Sequence, residues 1–227
     1  MLDRFLSVSP ARSVEIINRT LHQAVRLGKP PLAQFEAVVE IDQDTPVIRN
    51  GRGGTELDTL RWGFPAKSLT NRNGWNPPIA TIRNLEDRWW RVLNQPYLTD
   101  PRYRCLVPFT AFAAMAGRRR KWLRLEQGQG CFAAIWRPWE GESRLVSQGA
   151  GERIRTLARL NLFAILEARP SGPGKQAHAN ALPVILTHPA ELAAWMACEE
   201  ESLEFRPVPL DAFREIADPS RQLEDAV

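Results

Sequence analysis

Cysteine is scarce in this sequence, and the few that occur stand far apart. The three residues Cys105, Cys131 and Cys198 form no CxxC pair, and their odd number offers no disulfide framework. Disulfide-stabilised secreted domains are therefore not indicated. We expect a protein of a reducing compartment and place it in the cytoplasm.

Long hydrophobic runs are also lacking. No stretch approaches the roughly 18 apolar residues of a membrane-spanning helix. The opening residues MLDRFLSVSP carry Asp3 and Arg4 where a signal peptide would have an apolar core. The sequence thus predicts neither export nor membrane insertion. Because Leu2 is too large to permit removal of the initiator methionine, we expect Met1 to be retained.

Histidine is rare as well, which limits metal and acid–base chemistry. The three histidines are His22, His178 and His188, and neither an HExxH motif nor a Cys/His spacing makes them metal ligands. We expect no metal and no cofactor. His22 falls in a predicted helix and His188 at a helix start. His178 lies in a Gly/Pro-rich loop before a strand, so it is the acid–base candidate, with an ordinary exposed loop histidine as the alternative.

Arginine, in contrast, is abundant and unevenly placed. It supplies 26 of the 30 basic residues. Residues 49–159 hold 20 Lys and Arg against 9 Asp and Glu, whereas residues 187–227 hold 3 against 10. Arginine guanidinium groups together with tryptophan rings are typical of proteins that bind single-stranded nucleic acid. The chain has eight tryptophans. The plainer alternatives are a compositional bias toward arginine and tryptophans that fill the core.

Short strands dominate the predicted secondary structure. Ser9-Pro10 predicts a helix start, and apolar residues at helical spacing extend that helix to Gly28. Strands are predicted within 35–48, 59–64, 104–109, 121–126, 131–136, 162–168 and 182–186, with a turn at 50–54. A second helix begins near His188, and the last twenty residues suggest a short helix and a loose end. These elements indicate an α+β fold, a curved, mostly antiparallel sheet or partly closed barrel with flanking helices.

Six short motifs then stand in one order along the chain. They are MLDRF (1–5), RWGFP (61–65), TIRNLE (81–86), RCLVPFTAFAAM (104–115), FAAIW (132–136) and the stretch from His178 to Leu186. In this order they resemble the SOS-response-associated peptidase (SRAP) family, whose members carry MCGRF, RWGL[IV]P, NARxET, RCL[IV]PADGFYEW, FAGLW and HDRMPVIL. The resemblance covers residues 1–197, which we interpret as one domain. Residues 198–227 are an acidic C-terminal extension packed on it or trailing from it.

The resemblance implies a role in DNA damage. In the family, the cysteine at position 2 reacts through its thiol and α-amine with the aldehyde of an abasic site, which cross-links the protein to single-stranded DNA. The family's Asn and Glu organise that reaction and its His moves protons. Its motif arginines hold phosphates and its motif tryptophan stacks on a base. A self-processing peptidase activity is ascribed to the same cysteine.

Residue by residue, the reacting set is lost and the DNA-binding set is kept. Leu2, Thr81 and Ala114 stand where the family has Cys, Asn and Glu, so they define a vestigial pocket. His178 is displaced by one position. Arg4, Trp62 and Arg83 occupy the DNA-binding positions.

The resemblance therefore implies a protein that binds single-stranded or abasic-site DNA but is inactive as a cross-linker. Two alternatives remain open. One is an active cross-linker or peptidase with replacement residues. The other is a protein-interaction module whose old groove binds a peptide while the acidic tail covers the basic face.

Overall fold

Strands form most of the described part of the chain, because apolar side chains in most of its segments alternate between two faces. The computed structural model describes residues 2–20, 26–27, 37–65, 78–82, 88–116, 119–146, 153–168, 182–199, 208 and 210–220. The strands of these ranges are β1 (Arg4–Ser7), β2 (Arg26–Leu27), β3 (Val38–Glu40), β4 (Asp44–Gly51), β5 (Gly54–Trp62), β6 (Thr81–Ile82), β7 (Arg104–Ala116), β8 (Arg119–Leu125), β9 (Gly130–Val146), β10 (Arg153–Ala168), β11 (Leu182–Pro183), β12 (Ile185–Leu186) and β13 (Phe213–Ile216). The helices are α1 (Pro10–Thr20), α2 (Arg88–Leu98) and α3 (Pro189–Ala197), with short 3-10 helices at Pro101–Tyr103 and Leu210–Ala212.

Five of these strands close into a barrel. The order β9–β10–β5–β4–β7 returns to β9, and only the β5–β10 pair within it is parallel. Strand β7 belongs to the barrel through its first half and pairs with β1 and β8 through its second half. Strand β3 extends the sheet beyond β1, and β13 extends it beyond β8. The predicted α+β class, a partly closed barrel with flanking helices, is confirmed.

Side-chain alternation divides the core into an inner and an outer layer. In β10, Phe163 and Ile165 belong to the cluster that fills the barrel, whereas Leu162, Ala164 and Leu166 point outward. The outward residues pack beneath α1 and α3, which contribute Ile16, Ile17, Leu192, Trp195 and Met196. We call the barrel-filling cluster the inner cluster. Because this cluster fills the barrel interior, it limits the space in which a pocket at the barrel end can lie.

Three elements differ from what the sequence predicted. Helix α1 ends at Thr20, and Arg26–Leu27 is a strand parallel to β5 where we expected helix to Gly28. Helix α2 was not predicted. The tail was expected to be a short helix and a loose end, but its described part contains β13; residues 221–227 lie outside the described residues.

Two local predictions are confirmed. The turn at 50–54 joins β4 to β5, with Gly51 opposite Gly54. Helix α3 begins after His188 with Pro189 in its first turn, and Glu191 Oε2 accepts hydrogen bonds from the backbone N–H groups of Thr187 (3.0 Å) and His188 (3.1 Å).

Candidate nucleic-acid interface

The three residues of the predicted vestigial pocket lie around the inner cluster. Leu2 is a member of that cluster and is 1% exposed, and Ala114 packs against the cluster from β7. Thr81 is buried and stands opposite Ile165, another member, in the parallel pairing of β6 with β10. These positions therefore converge on one apolar region, in which Leu2 occupies space rather than presenting a reactive group.

Trp62 lies inside the barrel, although the family motif led us to expect it at a DNA-binding surface. Its side chain is 0% exposed and packs edge-on against Phe5, with ring centroids 5.1 Å apart. Its Nε1–H donates a hydrogen bond to the carbonyl oxygen of Ala80 (2.9 Å). A ring with both faces in the barrel interior offers no surface to a base. Because barrel closure turns this position inward, the structure gives no support to stacking of Trp62 on DNA, and that role stays a prediction.

The presence of glycine after Trp62 is also explained by the structure. Gly63 has φ +116°, which side chains rarely adopt, and a Cβ atom there would lie 2.6 Å from the side chain of Pro78. The Trp-Gly pair of the motif is thus explained by packing and backbone geometry at the end of β5.

Arg4 is the first residue of β1, which lies between β7 and β3, and its side chain is partly exposed and partly engaged. Its Nη2 pairs with Glu40 Oε1 of β3 at 2.9 Å, and the two residues are cross-strand partners. Its Nε is buried and has no hydrogen-bond partner. The guanidinium therefore keeps a donor for which the surrounding protein supplies no acceptor.

Two further predicted residues, Arg83 and His178, lie outside the described residues. Their roles in phosphate binding and in proton transfer stay predictions.

The strand cysteines are poor candidates for replacement nucleophiles. Cys105 and Cys131 are both buried, as expected for strand positions. Burial in the apolar interior raises the pKa of the Cys131 thiol to about 12 and raises that of Cys105 further. Near neutral pH both therefore remain protonated thiols, and neither is accessible to an aldehyde on DNA.

Motif comparison missed a second surface, on the side of the sheet that faces away from the barrel. Leu6, Ala111, Ala113 and Trp122 form a small separate cluster there, with Val38 and Ile216 packed against it. Alternation along β8 places Arg120 and Arg124 on the same face as Trp122, and alternation along β1 places Arg4 there with Leu6. We call Arg4, Arg120, Trp122 and Arg124 the outer Trp122 face. The sequence signal was the Arg-Lys-Trp-Leu-Arg run of 120–124.

Unsatisfied polar atoms concentrate at this outer Trp122 face. Among the described residues, eight buried side-chain N or O atoms have no hydrogen-bond partner. Three of them are donors of the face, namely Arg4 Nε, Trp122 Nε1 and Arg124 Nε, and two more, Asp3 Oδ1 and Ser220 Oγ, belong to residues beside it. Buried donors normally find acceptors, so the three unpaired donors mark a place where the protein supplies no acceptor in hydrogen-bond geometry, although Asp3 Oδ1 beside them is an unpaired acceptor.

The acidic C-terminal segment lies against the same region. Strand β13 pairs antiparallel with β8, from Phe213 opposite Leu125 to Ile216 opposite Trp122. Phe213 contacts Phe112 edge-on with centroids 5.6 Å apart, and Glu215 Oε2 lies 2.6 Å from Lys121 Nζ. The described part of the tail is thus an integral strand of the sheet, and it sets carboxylates beside the basic strand β8.

Asp218, just beyond β13, lies close to the outer Trp122 face. Burial raises the pKa of its carboxyl, but the hydrogen bonding of Ser220, the proximity of the Trp122 indole N–H and, least, the charge of Arg4 outweigh burial and lower that pKa below its ordinary value. The indole and the carboxylate approach each other without meeting in hydrogen-bond geometry, since Trp122 Nε1 has no bonded acceptor. Asp218 therefore stands as an anion close to the unsatisfied donors.

Within the described ranges, no group of three His, Cys, Asp or Glu side chains is arranged to hold a metal ion. Among the helices that the structure describes, none has the length and apolar character that a membrane crossing requires.

Comparison with known proteins gives relatives in structure but not in sequence. No family model matches the chain, and no curated protein matches it. A phage-related protein from Bordetella bronchiseptica superposes with a TM-score of 0.60 at 17% identity, over 95% of this chain and 94% of that one. A protein from Bacteroides thetaiotaomicron superposes with a TM-score of 0.60 at 14% identity, over 98% and 94% of the two chains. At these identities the likeness shows a shared fold over nearly the whole chain.

Proposed function

We propose that this protein is a divergent member of the SRAP family that binds single-stranded DNA, including DNA with abasic sites, without forming the family's covalent cross-link. The burial of Leu2 in the inner cluster carries this proposal. The six motifs in family order support it, and so does a barrel with flanking helices.

The chemistry of the pocket argues against a covalent product. Attack on the aldehyde of an abasic site needs a nitrogen or sulfur lone pair close to the carbonyl carbon. Leu2 supplies no such atom and is packed among hydrocarbon side chains. Ala114 cannot act as an acid or base, and the cysteines Cys105 and Cys131 are buried as neutral thiols. With nucleophile and carboxylate both gone, only non-covalent recognition is left to this pocket.

The charge distribution supports DNA as the ligand. The surplus of arginine in residues 49–159 suits phosphate oxygens, because a guanidinium binds them through two parallel hydrogen bonds. Arg4 is partly exposed and keeps a buried Nε donor without a hydrogen-bond partner. The protein-interaction alternative draws on the same surplus, so binding itself must be measured.

The test uses one abasic-site oligonucleotide and two kinds of gel. We expect the protein to retard the oligonucleotide on a native gel and to release it completely on a denaturing gel. An intact oligonucleotide of the same sequence should be retarded similarly. A heat-stable adduct would show that a replacement nucleophile exists, and the absence of any retardation would contradict DNA binding.

A variant with the family's reacting residues checks the pocket assignment in the same assay. Leu2→Cys, Thr81→Asn and Ala114→Glu together should restore slow adduct formation, because proximity alone supplies much of an intramolecular rate advantage. We expect partial rescue, since the site is closely packed. If this variant is folded, has lost Met1 and binds DNA but forms no adduct over days, residue 2 does not face the DNA.

A further inference from the structure

We propose that the outer Trp122 face is the surface that takes the backbone of single-stranded DNA, and that the tail around Asp218 occupies this face when DNA is absent. This inference rests on the proposed function and assigns to it a surface of which only Arg4 belongs to a family motif.

The residue types on this face match the ligand. Arg120, Trp122 and Arg124 alternate along one face of β8, so two guanidinium groups flank one indole. Arg4 adds a third guanidinium from β1. Cationic side chains that follow the phosphates, with an aromatic ring between them for a base, are the usual means of binding single strands without sequence preference.

The hydrogen-bond inventory points to a missing acceptor. Arg4 Nε, Arg124 Nε and Trp122 Nε1 are buried donors without partners. Asp3 and Glu40 each pair with a terminal Nη2 atom, of Arg120 and Arg4 respectively, and leave the Nε of Arg4 unused. Phosphate oxygens accept several hydrogen bonds at once, so a DNA backbone would satisfy donors that the protein itself does not.

The tail explains why Trp122 is hidden in the free protein. Trp122 is 3% exposed, Ile216 packs on its cluster, and Pro219 nearby is buried. The Asp218 carboxylate lies in the field of Arg4 and Trp122, where a phosphate would otherwise be attracted. DNA therefore has to displace the segment 217–220 while β13, which is paired with β8, stays in place.

The other arginine-rich aromatic cluster fits DNA less well. Arg49 lies 4.4 Å above the Trp136 ring, but it is bound to both Glu56 and Asp58. Arg102, on the same side, pairs with Asp100 at 2.6 Å. Trp136 Nε1 already donates to the carbonyl oxygen of Arg102 at 2.9 Å. The acceptors of these groups lie within the protein, whereas Arg4 Nε, Trp122 Nε1 and Arg124 Nε on the outer Trp122 face have no hydrogen-bond acceptor.

The experiment is a fluorescence-anisotropy titration of the full chain with a labelled oligothymidylate of about 16 nucleotides, the upper site size of a small single-strand-binding domain. Arg120→Gln and Arg124→Gln should each weaken binding by at least about fivefold at low salt, as expected for a lost charge-assisted contact. Each should also reduce the slope of log K against log salt by about 0.7. Asp218→Asn should tighten binding by about threefold, because it removes a competing anion.

Matched variants correct for the general effect of charge. Arg12→Gln and Arg19→Gln remove cations from α1, where both pair with Glu15, and Glu140→Gln removes an exposed carboxylate that pairs with Arg159. We expect these three to leave affinity within about twofold of the original, since exposed single charges contribute little. Arg120 is exposed, so its variant should fold even if that of Arg124 does not.

The outcomes separate this inference from the proposed function. If the original protein binds DNA and the β8 variants behave like those of α1, the DNA surface lies elsewhere and the proposed function stands. If neither the original protein nor Asp218→Asn binds, both are wrong. If only Asp218→Asn binds, the tail masks the surface as proposed.

Discussion

Two tryptophans of this protein differ in whether the indole N–H has a hydrogen-bond acceptor. Trp62 sits in a recognisable motif, but it is enclosed by aromatic rings and bonded to the Ala80 carbonyl oxygen. Trp122 sits in no motif of the family, yet its indole N–H lacks an acceptor. A satisfied, enclosed indole stabilises the fold, whereas an unsatisfied one between arginines is suited to a ligand.

Replacing Trp62 should therefore change stability and leave DNA binding alone. Trp62→Phe removes the hydrogen bond to Ala80 and leaves a void in the barrel, so we expect the free energy of unfolding to fall by about 1 to 3 kcal/mol. Urea titration measures this change. Trp136→Phe, which removes a similar bond at a half-exposed site, should cost less than about 1 kcal/mol. A loss of DNA affinity in folded Trp62→Phe would restore the stacking role.

Single residues were predictable from sequence only where strand alternation alone decides their environment. Cys105 and Cys131 were expected in strands and buried, and they are. The direction in which Trp62 points depends on closure of the barrel by the β7–β9 and β5–β10 pairings, which no local pattern contains. The alternation of Arg120, Trp122 and Arg124 along β8 could be predicted from sequence. Which of these side chains are exposed could not, because that depends on where β13 and the tail pack.

Strand β13 is the element whose structure differs most from what its sequence suggested. It belongs to an acidic stretch, yet it completes the sheet beyond β8, and Phe213 packs against the inner cluster. This strand holds the tail in register over the outer Trp122 face. It therefore couples the sheet to the segment that we propose DNA displaces.

Removing the anchor of β13 should loosen β8 specifically. Phe213→Ala deletes the edge-on contact with Phe112 and should lower the free energy of unfolding by about 2 kcal/mol. Hydrogen exchange should accelerate at the β8 amides and stay unchanged in the β4–β5 hairpin. Phe213→Leu, which keeps an apolar side chain, should show a smaller change in both measurements. Equal exchange of β8 in the original and in Phe213→Ala would mean that β13 does not hold this edge.

Most strands were predictable because apolar residues repeat at period two, and helix α3 because Pro189 and Glu191 mark its start. Helix α2 was missed because Pro96 lies within it and suggests a break. Strand β13 was missed because its charged residues are stabilised by pairing with a distant strand. Tertiary contacts, not local propensity, decide both segments.

Over the whole molecule, the fold brings together charges that are far apart in sequence. The basic middle of the chain includes β8, and the acidic end includes Glu215 and Asp218, which lie beside it. The sequence showed this segregation of charge. It could not show that β13 would place the two parts side by side, nor that the family's reacting positions would be packed with hydrocarbon.

The salt dependence of DNA binding tests the proposed function most directly. The affinity of the full chain for single-stranded DNA should be measured over a salt series beside an uncharged backbone analogue of the same bases. Because neutralised phosphates release counterions, we expect log K to fall linearly with log salt, with a slope of about 0.7 for each phosphate contacted. The analogue should bind much more weakly. Equal affinity for DNA and the uncharged analogue, unaffected by salt, would contradict recognition of DNA by this protein.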